Sequence, residues 1–157
     1  MINLRRMREE EFPAYSEYFI EDYSQEIARN YGHPISTAIE LARKDLENSF
    51  PNGYELNGHE LLCIELKDSD EKNAVGYLWH SVNTNDNSTF IYDFYIADSF
   101  RGQGLGKLAM QYLEDQLQAK GIEQVKLRVA YQNTRALKLY QETGFSITGF
   151  NMSKSLV

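Results

Sequence analysis

The sequence has little cysteine: Cys63 is the only one among 157 residues. No disulfide can therefore form within the chain, and a reducing compartment is expected. Cys63 lies in the apolar run 61–64, which favours a buried strand cysteine over a nucleophile because no neighbouring group would lower the pKa of its thiol.

Long apolar stretches and an excess of basic residues are also missing. No run approaches the about 18 apolar residues that a membrane-spanning helix needs, and the first residues lack the apolar core of a signal peptide. We therefore expect a cytoplasmic protein with no membrane partner. Lysine and arginine number 16 against 23 aspartates and glutamates, the formal net charge is −7, and the basic residues are scattered, which argues against nucleic acid as a partner.

What the chain does have is a regular succession of strand-like and helix-like segments. Hydrophobic residues make up 42% of it, which suits one globular domain over residues 1–157. Apolar spacing predicts helices over 12–27, 35–46, 105–117 and 133–144, and strands over 2–4, 60–66, 74–82, 89–96, 125–129 and 145–156. The polar segment 67–73 is predicted to join a hairpin. The order βααβββαβαβ predicts an α/β (α+β) fold, a mixed central sheet flanked by helices.

The most informative segment is the glycine turn, residues 101–107, which reads Arg-Gly-Gln-Gly-Leu-Gly-Lys between a predicted strand and a predicted helix. Such a turn lets backbone N–H groups approach an anion, although a tight turn that only needs positive φ is the plain alternative. A P-loop is excluded because Leu108 follows Lys107 where a serine or threonine is required. A dinucleotide fingerprint is excluded because the glycines are spaced G-x-G-x-G.

Two motifs resemble those of the GNAT superfamily of N-acetyltransferases. Arg101-x-x-Gly104-x-Gly106 is similar to the family's acyl-CoA pyrophosphate loop, whose consensus is Gln/Arg-x-x-Gly-x-Gly/Ala. The segment 133–145 resembles the family's Asn-x-x-Ala-x-x-Leu-Tyr-x-x-x-Gly-Phe pattern. The runs 90–94 and 152–154 also resemble a small bacterial subgroup whose substrates are not established.

The resemblance implies acetyl-CoA as co-substrate, with the pyrophosphate on backbone N–H groups of the glycine turn and the pantetheine on the preceding strand. The implied cofactor-binding residues are Ile96, Ala97, Arg101, Gly102, Gln103, Gly104, Leu105, Gly106, Lys107, Asn133, Ala136 and Tyr140. Arg101 is open to three roles: it fixes the loop, approaches a phosphate or is simply solvated. Asn133 is open to two: it bonds pantetheine or caps its own helix. No metal is expected, since the three histidines lack ligand spacing, although His80 is the one that a pocket would include.

Two residues are candidates for catalysis. By the resemblance, Tyr140 donates a proton to the departing CoA thiolate, whereas core packing is its alternative role. Asp93 is the candidate general base that deprotonates the amine, because its apolar strand neighbours would raise its pKa. Its alternatives are to orient the acceptor or to pair with an arginine.

The implied activity is transfer of an acetyl group from acetyl-CoA to a primary amine by direct attack in a ternary complex. A small-molecule or polyamine-like acceptor leads, a protein N-terminus or lysine is the alternative, and an acyl-CoA-binding sensor is the non-enzyme alternative. Acidic residues of the first long helix are either solvated or wall a site for a cationic amine: Glu17, Glu21, Asp22 and Glu26. Few residues follow Phe145, so either a second subunit of a homodimer completes the acceptor pocket or the pocket is open.

Overall fold

The computed structural model describes residues 2–54, 58–67 and 74–157. Five strands are formed: β1 Ile2–Arg6, β2 His59–Leu66, β3 Gly76–Asn83, β4 Ser88–Ile96 and β5 Gln124–Leu127. Four helices are formed: α1 Phe12–Tyr31, α2 Ile35–Ser49, α3 Leu105–Ala119 and α4 Thr134–Glu142. No helix in these three ranges is long and apolar enough to cross a bilayer.

The strands form one mixed sheet in the order β1-β2-β3-β4-β5. Each pair from β1 to β4 is antiparallel, whereas β4 and β5 are parallel. The hairpin of β2 and β3 forms with Leu62 opposite Leu78, and most of its predicted connection, residues 68–73, lies outside the described residues. The predicted mixed α/β architecture is confirmed.

Helices cover both faces of the sheet. The run 61–64 is apolar at every position because alternate side chains pack on opposite faces: Leu61 and Cys63 against α1 and α2, Leu62 and Ile64 against the side that α3 covers. Cys63 is fully buried, and burial raises the pKa of its thiol to about 11, as expected for a structural cysteine.

The helices begin and end where their local chemistry requires. Pro13 lies in the first turn of α1, where its missing N–H costs nothing, and the helix ends at Gly32 in a left-handed conformation (φ 67°) whose N–H donates to the Ala28 carbonyl at 3.0 Å. Asn133 caps α4, since its side-chain oxygen accepts from the Ala136 N–H at 3.2 Å.

The predicted final strand is wrong for this structure. Residues 145–157 form neither helix nor strand, and β5 ends at Leu127 rather than 129. Phe145 still packs on Tyr140, with ring centroids 5.5 Å apart. Alternating apolar residues favour a strand only where a neighbour accepts its backbone hydrogen bonds, and in the described chain no strand lies beside this segment.

Close pairing of β3 with β4 depends on Gly76. A Cβ built there would clash with the Tyr95 carbonyl oxygen and lie 3.1 Å from Ile96 Cδ1. We predict that Gly76→Ala lowers the free energy of unfolding by about 2 kcal/mol, and the melting temperature by about 4–8 °C, because strand backbone must move.

Gly121→Ala is the matched control for Gly76→Ala. Its Cβ would meet nothing within 4 Å, so it carries only the cost of a left-handed φ of 81°, about 1 kcal/mol. Thermal and urea unfolding measure both variants. Equal losses would contradict the steric role of Gly76.

Candidate active site

A cleft opens where β4 and β5 separate. Their parallel pairing runs from Ser88 opposite Gln124 to Ile91 opposite Leu127 and then stops, although β4 continues to Ile96. Beyond this point the end of β4, residues 92–96, and the residues that follow β5, 128–130, both line the cleft. Its volume is about 1140 Å³, slightly above the range of about 300–1,000 Å³ that is typical of small-molecule sites.

The glycine turn forms one end of the cleft. Gly102 and Gly104 have φ of 76° and 77°, and a Cβ at either would meet nothing within 4 Å, so their conformation rather than crowding calls for glycine. Gly104 caps α3, whose first backbone bond runs from the Leu108 N–H to the Gly104 carbonyl at 3.1 Å. The N–H groups of residues 105–107 therefore have no helical partner and form the positive end of the helix dipole. This is an anion-binding arrangement.

Gly106 has a packing reason instead. A Cβ there would lie 3.3 Å from Leu139 Cδ2 and 3.7 Å from Phe94 Cε1, so glycine lets α3 approach α4 and β4 closely. Lys107 joins the same two helices through an ion pair with Glu142 at 3.0 Å. Gly102 and Gly104 are thus required for their backbone conformation, whereas Gly106 is required for close packing of the helices.

The Arg101 side chain turns back onto its own loop. Its Nε donates to the Ile96 carbonyl at 2.7 Å, it pairs with Asp98, and its guanidinium lies 5.4 Å from the centre of the Tyr95 ring. Among the roles open to Arg101, this geometry matches fixing of the loop. Gln103 is not among the residues that line the cleft, and its amide lies 3.5 Å from the Ser99 carbonyl.

Ile96 and Ala97, at the end of β4, differ in whether their backbone N–H is free to bind a ligand. The Ala97 N–H donates to the Val75 carbonyl at 2.8 Å and is already used. Because N–H groups alternate sides along a strand, the Ile96 N–H points away from β3, toward the cleft that Ile96 lines. Ile96 is therefore the residue of this pair that can bond a ligand through its N–H.

On the opposite wall, Asn133, Ala136 and Tyr140 all line the cleft from α4 and its cap. The Asn133 side chain already caps the helix. Tyr140 is 9% exposed and packs edge-on against Phe94, and burial raises its pKa to about 12. Its hydroxyl has no hydrogen-bond partner among the described residues and remains partly accessible to solvent.

Asp93 lines the cleft and accepts hydrogen bonds from two tyrosines of α1. The Tyr15 hydroxyl donates to Oδ2 at 2.9 Å and the Tyr18 hydroxyl donates to Oδ1 at 3.2 Å. Burial raises the pKa of Asp93 to about 7, while both hydrogen bonds favour the ionised form and oppose that rise. Asp93 is therefore a carboxyl that changes charge near neutral pH.

A β-bulge aims Asp93 at these tyrosines. Trp79 pairs with Asp93 but His80 pairs with Ile91, so Tyr92 is the extra residue of β4. Tyr92 stacks on Trp79 on the α1 side, and Asp93 faces that side too, whereas Ile91 packs on the opposite face. Strict alternation would have put Asp93 on the face of Ile91, away from α1.

The helix α1 adds an acidic wall to the cleft. Asp22 and Glu26, one turn apart, both line it, and partial desolvation raises the pKa of each carboxyl above its usual value. Glu17 and Glu21 do not line it and are exposed. The four acidic residues of this helix therefore separate into a pair that lines the cleft and a pair that does not.

Sequence reasoning missed the roles of Tyr15 and Tyr18. The apolar spacing of α1 placed Tyr15 among core residues, and the i, i+3 spacing of the two hydroxyls was the available signal. His80, in contrast, does not line the cleft: it is buried in β3, with Nδ1 2.8 Å from the Thr89 hydroxyl.

Comparison with known proteins agrees with this architecture. The sequence model of the acetyltransferase (GNAT) family matches residues 4–145. YycN of Bacillus subtilis, named an uncharacterized N-acetyltransferase, is 33% identical over 157 residues, 99% of each chain. YdgE of the same organism, named likewise, is 30% identical over 155 residues, 98% of this chain and 97% of its own.

Solved structures share the fold. The crystal structure of Bacillus subtilis YycN has a TM-score of 0.90 over 100% of this chain and 99% of that chain. The PaiA N-acetyltransferase of Thermoplasma acidophilum, solved in complex with coenzyme A, has a TM-score of 0.70 at 19% identity, covering 96% of this chain and 93% of that one.

The Asp93 geometry predicts how its ionisation responds to mutation. Tyr15→Phe keeps the ring and removes a hydrogen bond to the carboxylate, so we expect the pKa of Asp93 to rise further above about 7. Carboxyl ¹³C chemical shifts followed against pH measure it. Tyr92→Phe is the control, because the Tyr92 hydroxyl makes no bond to Asp93; an unchanged pKa in Tyr15→Phe would contradict the assignment.

Proposed function

Because the chain belongs to the acetyltransferase (GNAT) family, and so carries out acetyl-CoA-dependent N-acetylation, we propose that its acceptor is a small cationic primary amine, attacked in a ternary complex. The observation that carries this proposal is one cleft with an anion-binding helix end on one side and Asp93 with an acidic wall on the other. We further propose that residues 1–157 act as one acetyltransferase domain.

The cofactor end of the proposal rests on backbone groups. The free N–H groups of residues 105–107 suit the pyrophosphate, and the open space around Gly102 and Gly104 lets it approach. Arg101 holds the strand end and the turn in place. The Ile96 N–H then serves the pantetheine or the thioester oxygen, where it would stabilise developing negative charge.

Tyr140 is the proposed general acid. A phenol with a pKa of about 12 is protonated at neutral pH, so it can donate to a departing thiolate. Its hydroxyl has no competing acceptor among the described residues. Edge contacts with Phe94 and Phe145 fix the ring while leaving the hydroxyl at the cleft.

Asp93 is the proposed general base. An amine arrives mostly as ammonium and must lose a proton before it attacks. With a pKa of about 7, about half of the Asp93 carboxyls are ionised at pH 7, close to the best balance between availability and basicity. Tyr15 and Tyr18 orient both oxygens, so Asp93 accepts a proton from a fixed position.

The acceptor class follows from charge. Asp22 and Glu26 face the cleft on the same helix that orients Asp93, so a cation finds opposite charge beside the base. A molecule with a second amino group places one at Asp93 and one at these carboxylates. This favours a diamine or polyamine over a neutral amine, and the half-buried position of Asp93 inside the cleft favours a small molecule over a protein chain end.

An amine screen with acetyl-CoA tests the acceptor, with free thiol release as readout. We expect the highest kcat/KM for linear diamines and polyamines. The double variant Asp22→Asn with Glu26→Gln removes the charge attraction to the amine. A loss of about 1.4 kcal/mol in binding free energy should raise KM for these amines about tenfold and leave the affinity for acetyl-CoA unchanged. Glu21→Gln, an exposed acidic neighbour outside the cleft, is the matched control.

Each other outcome of the screen contradicts the proposal in a distinct way. Turnover of peptide amines alone would identify a protein acetyltransferase. No thiol release with any amine, while coenzyme A still raises the melting temperature, would identify an acyl-CoA-binding sensor. The cytoplasmic location stays a prediction.

Tyr140→Phe tests the acid. We expect kcat to fall by about ten- to a thousandfold with the Kd for coenzyme A nearly unchanged, because Phe keeps the packing and removes only the donor. Tyr112→Phe, on α3 and outside the residues that line the cleft, is the control. Unchanged turnover in Tyr140→Phe would remove Tyr140 from the mechanism.

A further inference from the structure

One aromatic ring of the cleft lies open to solvent. Tyr92 is 47% exposed and lines the cleft, and within residues 2–54, 58–67 and 74–157 it is the only exposed large hydrophobic side chain that does so. Single exposed apolar side chains are common on protein surfaces, but this one lies in a concave site next to the proposed base. A ligand group that covers the ring there gains free energy from burial.

The other rings that line the cleft are packed against protein groups. Tyr18 and Tyr95 contact each other with ring centroids 4.3 Å apart, and the Arg101 guanidinium lies over the Tyr95 ring. The remaining rings are also packed within the protein: Phe94 edge-on against Tyr140, and Phe100 against the core beside α3. Tyr92 is thus the ring of the cleft that a ligand can cover.

Neighbouring aromatic side chains hold the Tyr92 ring in place. Trp79 stacks on one face, with centroids 4.9 Å apart and 26° between the ring planes. His59 and Phe90 contact the ring at angles, with centroids at 5.5 and 4.9 Å. Trp79 is fixed in turn, because its indole N–H donates to His59 Nδ1 at 3.0 Å. Since one face is covered and the ring is held, the second face of Tyr92 is a preformed surface for a ligand.

The β4 bulge places this ring next to the proposed base. Neighbouring residues of a regular strand point to opposite faces of the sheet, whereas Tyr92 and Asp93 both face α1. Their Cα atoms are about 3.8 Å apart, as across any trans peptide. An amine that donates to Asp93 therefore has its substituent within reach of the Tyr92 ring.

The order of residues along β4 separates the cofactor side from the acceptor side. The anion-binding glycine turn follows Ile96, so a cofactor extended from the turn along β4 passes Ile96 before it reaches Asp93. Tyr92 is one residue further from the turn than Asp93. The ring therefore lies on the acceptor side of the base.

We propose that Tyr92 is a specificity-determining residue whose open face binds the alkyl chain of the acceptor while the amino group is held at Asp93. This inference rests on the proposed function and narrows it: among small primary amines, the site selects those with an unbranched chain of several methylene groups. Such a chain can lie flat on a ring. Carbon atoms next to an ammonium share its positive charge, which the negative face of the ring attracts.

A homologous series of amines tests the open face, with binding rather than turnover as readout. Calorimetry measures Kd for n-propylamine to n-hexylamine on the protein saturated with coenzyme A. A methylene group buried on all sides gains about fourfold in affinity, and one that lies on a ring with its other side in water gains about twofold. We therefore expect Kd to fall about twofold for each added methylene and about eightfold over the series.

Two substitutions of Tyr92 separate the ring from its hydroxyl. Tyr92→Gln places a polar amide over Trp79 instead of a ring, so we expect Kd to change by less than about twofold over the series. Tyr92→Phe keeps the ring face and should keep the wild-type dependence. Tyr31→Gln is the matched control, because Tyr31 is similarly exposed and is not among the residues that line the cleft. An unchanged Kd for coenzyme A in every variant shows that the fold is intact.

NMR locates the bound chain directly. In the wild type with coenzyme A and n-hexylamine, we expect NOEs from the methylene protons of the amine to the ring protons of Tyr92. The same experiment on Tyr31→Gln should give the same NOEs.

The outcomes distinguish failure of this inference from failure of the proposed function. An undiminished chain-length dependence in Tyr92→Gln, its loss in Tyr92→Phe, or NOEs only to other rings would overturn the role of the Tyr92 face. Amine binding in those cases would still support the proposed acceptor class. If coenzyme A binds but no amine of the series does, the acceptor class is wrong and the role of Tyr92 is overturned with it.

Discussion

The site depends on the end of one pairing, that between β4 and β5. Parallel strands that stay paired use their backbone N–H and C=O groups in hydrogen bonds to each other. Here the pairing of β4 with β5 ends at Ile91, whereas β4 continues to Ile96 without a neighbour on that side within the described chain. The unpaired end exposes the Ile96 N–H to a ligand and opens the cleft between two walls. The glycine turn follows directly at the end of this strand, so the helix N-terminus and the open strand edge border the same space.

The β4 bulge adds a second constraint. By inserting Tyr92, it turns Asp93 toward α1, where Tyr15 and Tyr18 hold both carboxylate oxygens. Burial pushes the pKa of this carboxyl up, and the two hydrogen bonds keep it near 7 rather than higher. One local irregularity thus places the proposed base and ties the acidic helix to the sheet.

The order of helices and strands up to α4 could be predicted from apolar spacing and glycine and proline positions, because those features act locally. The glycine turn was recognisable for the same reason: Leu108 after Lys107 separates it from P-loops, and its glycine spacing separates it from dinucleotide sites. The final strand was predicted wrongly, since its alternating pattern is local whereas strand formation needs a partner edge. The tyrosine partners of Asp93 were missed because they lie 78 and 75 residues away in the chain.

By itself, the sequence determined the fold class, the family and the candidate residues, all of which follow from short-range patterns of side-chain type. Only the tertiary structure decided which of those residues share a cleft. It turned Arg101 back onto its own loop, committed the Ala97 N–H to Val75 and rotated Asp93 out of strict alternation. The physical reason is that hydrogen-bond partners and burial are set by contacts between distant segments, and no local pattern encodes where a strand pair separates.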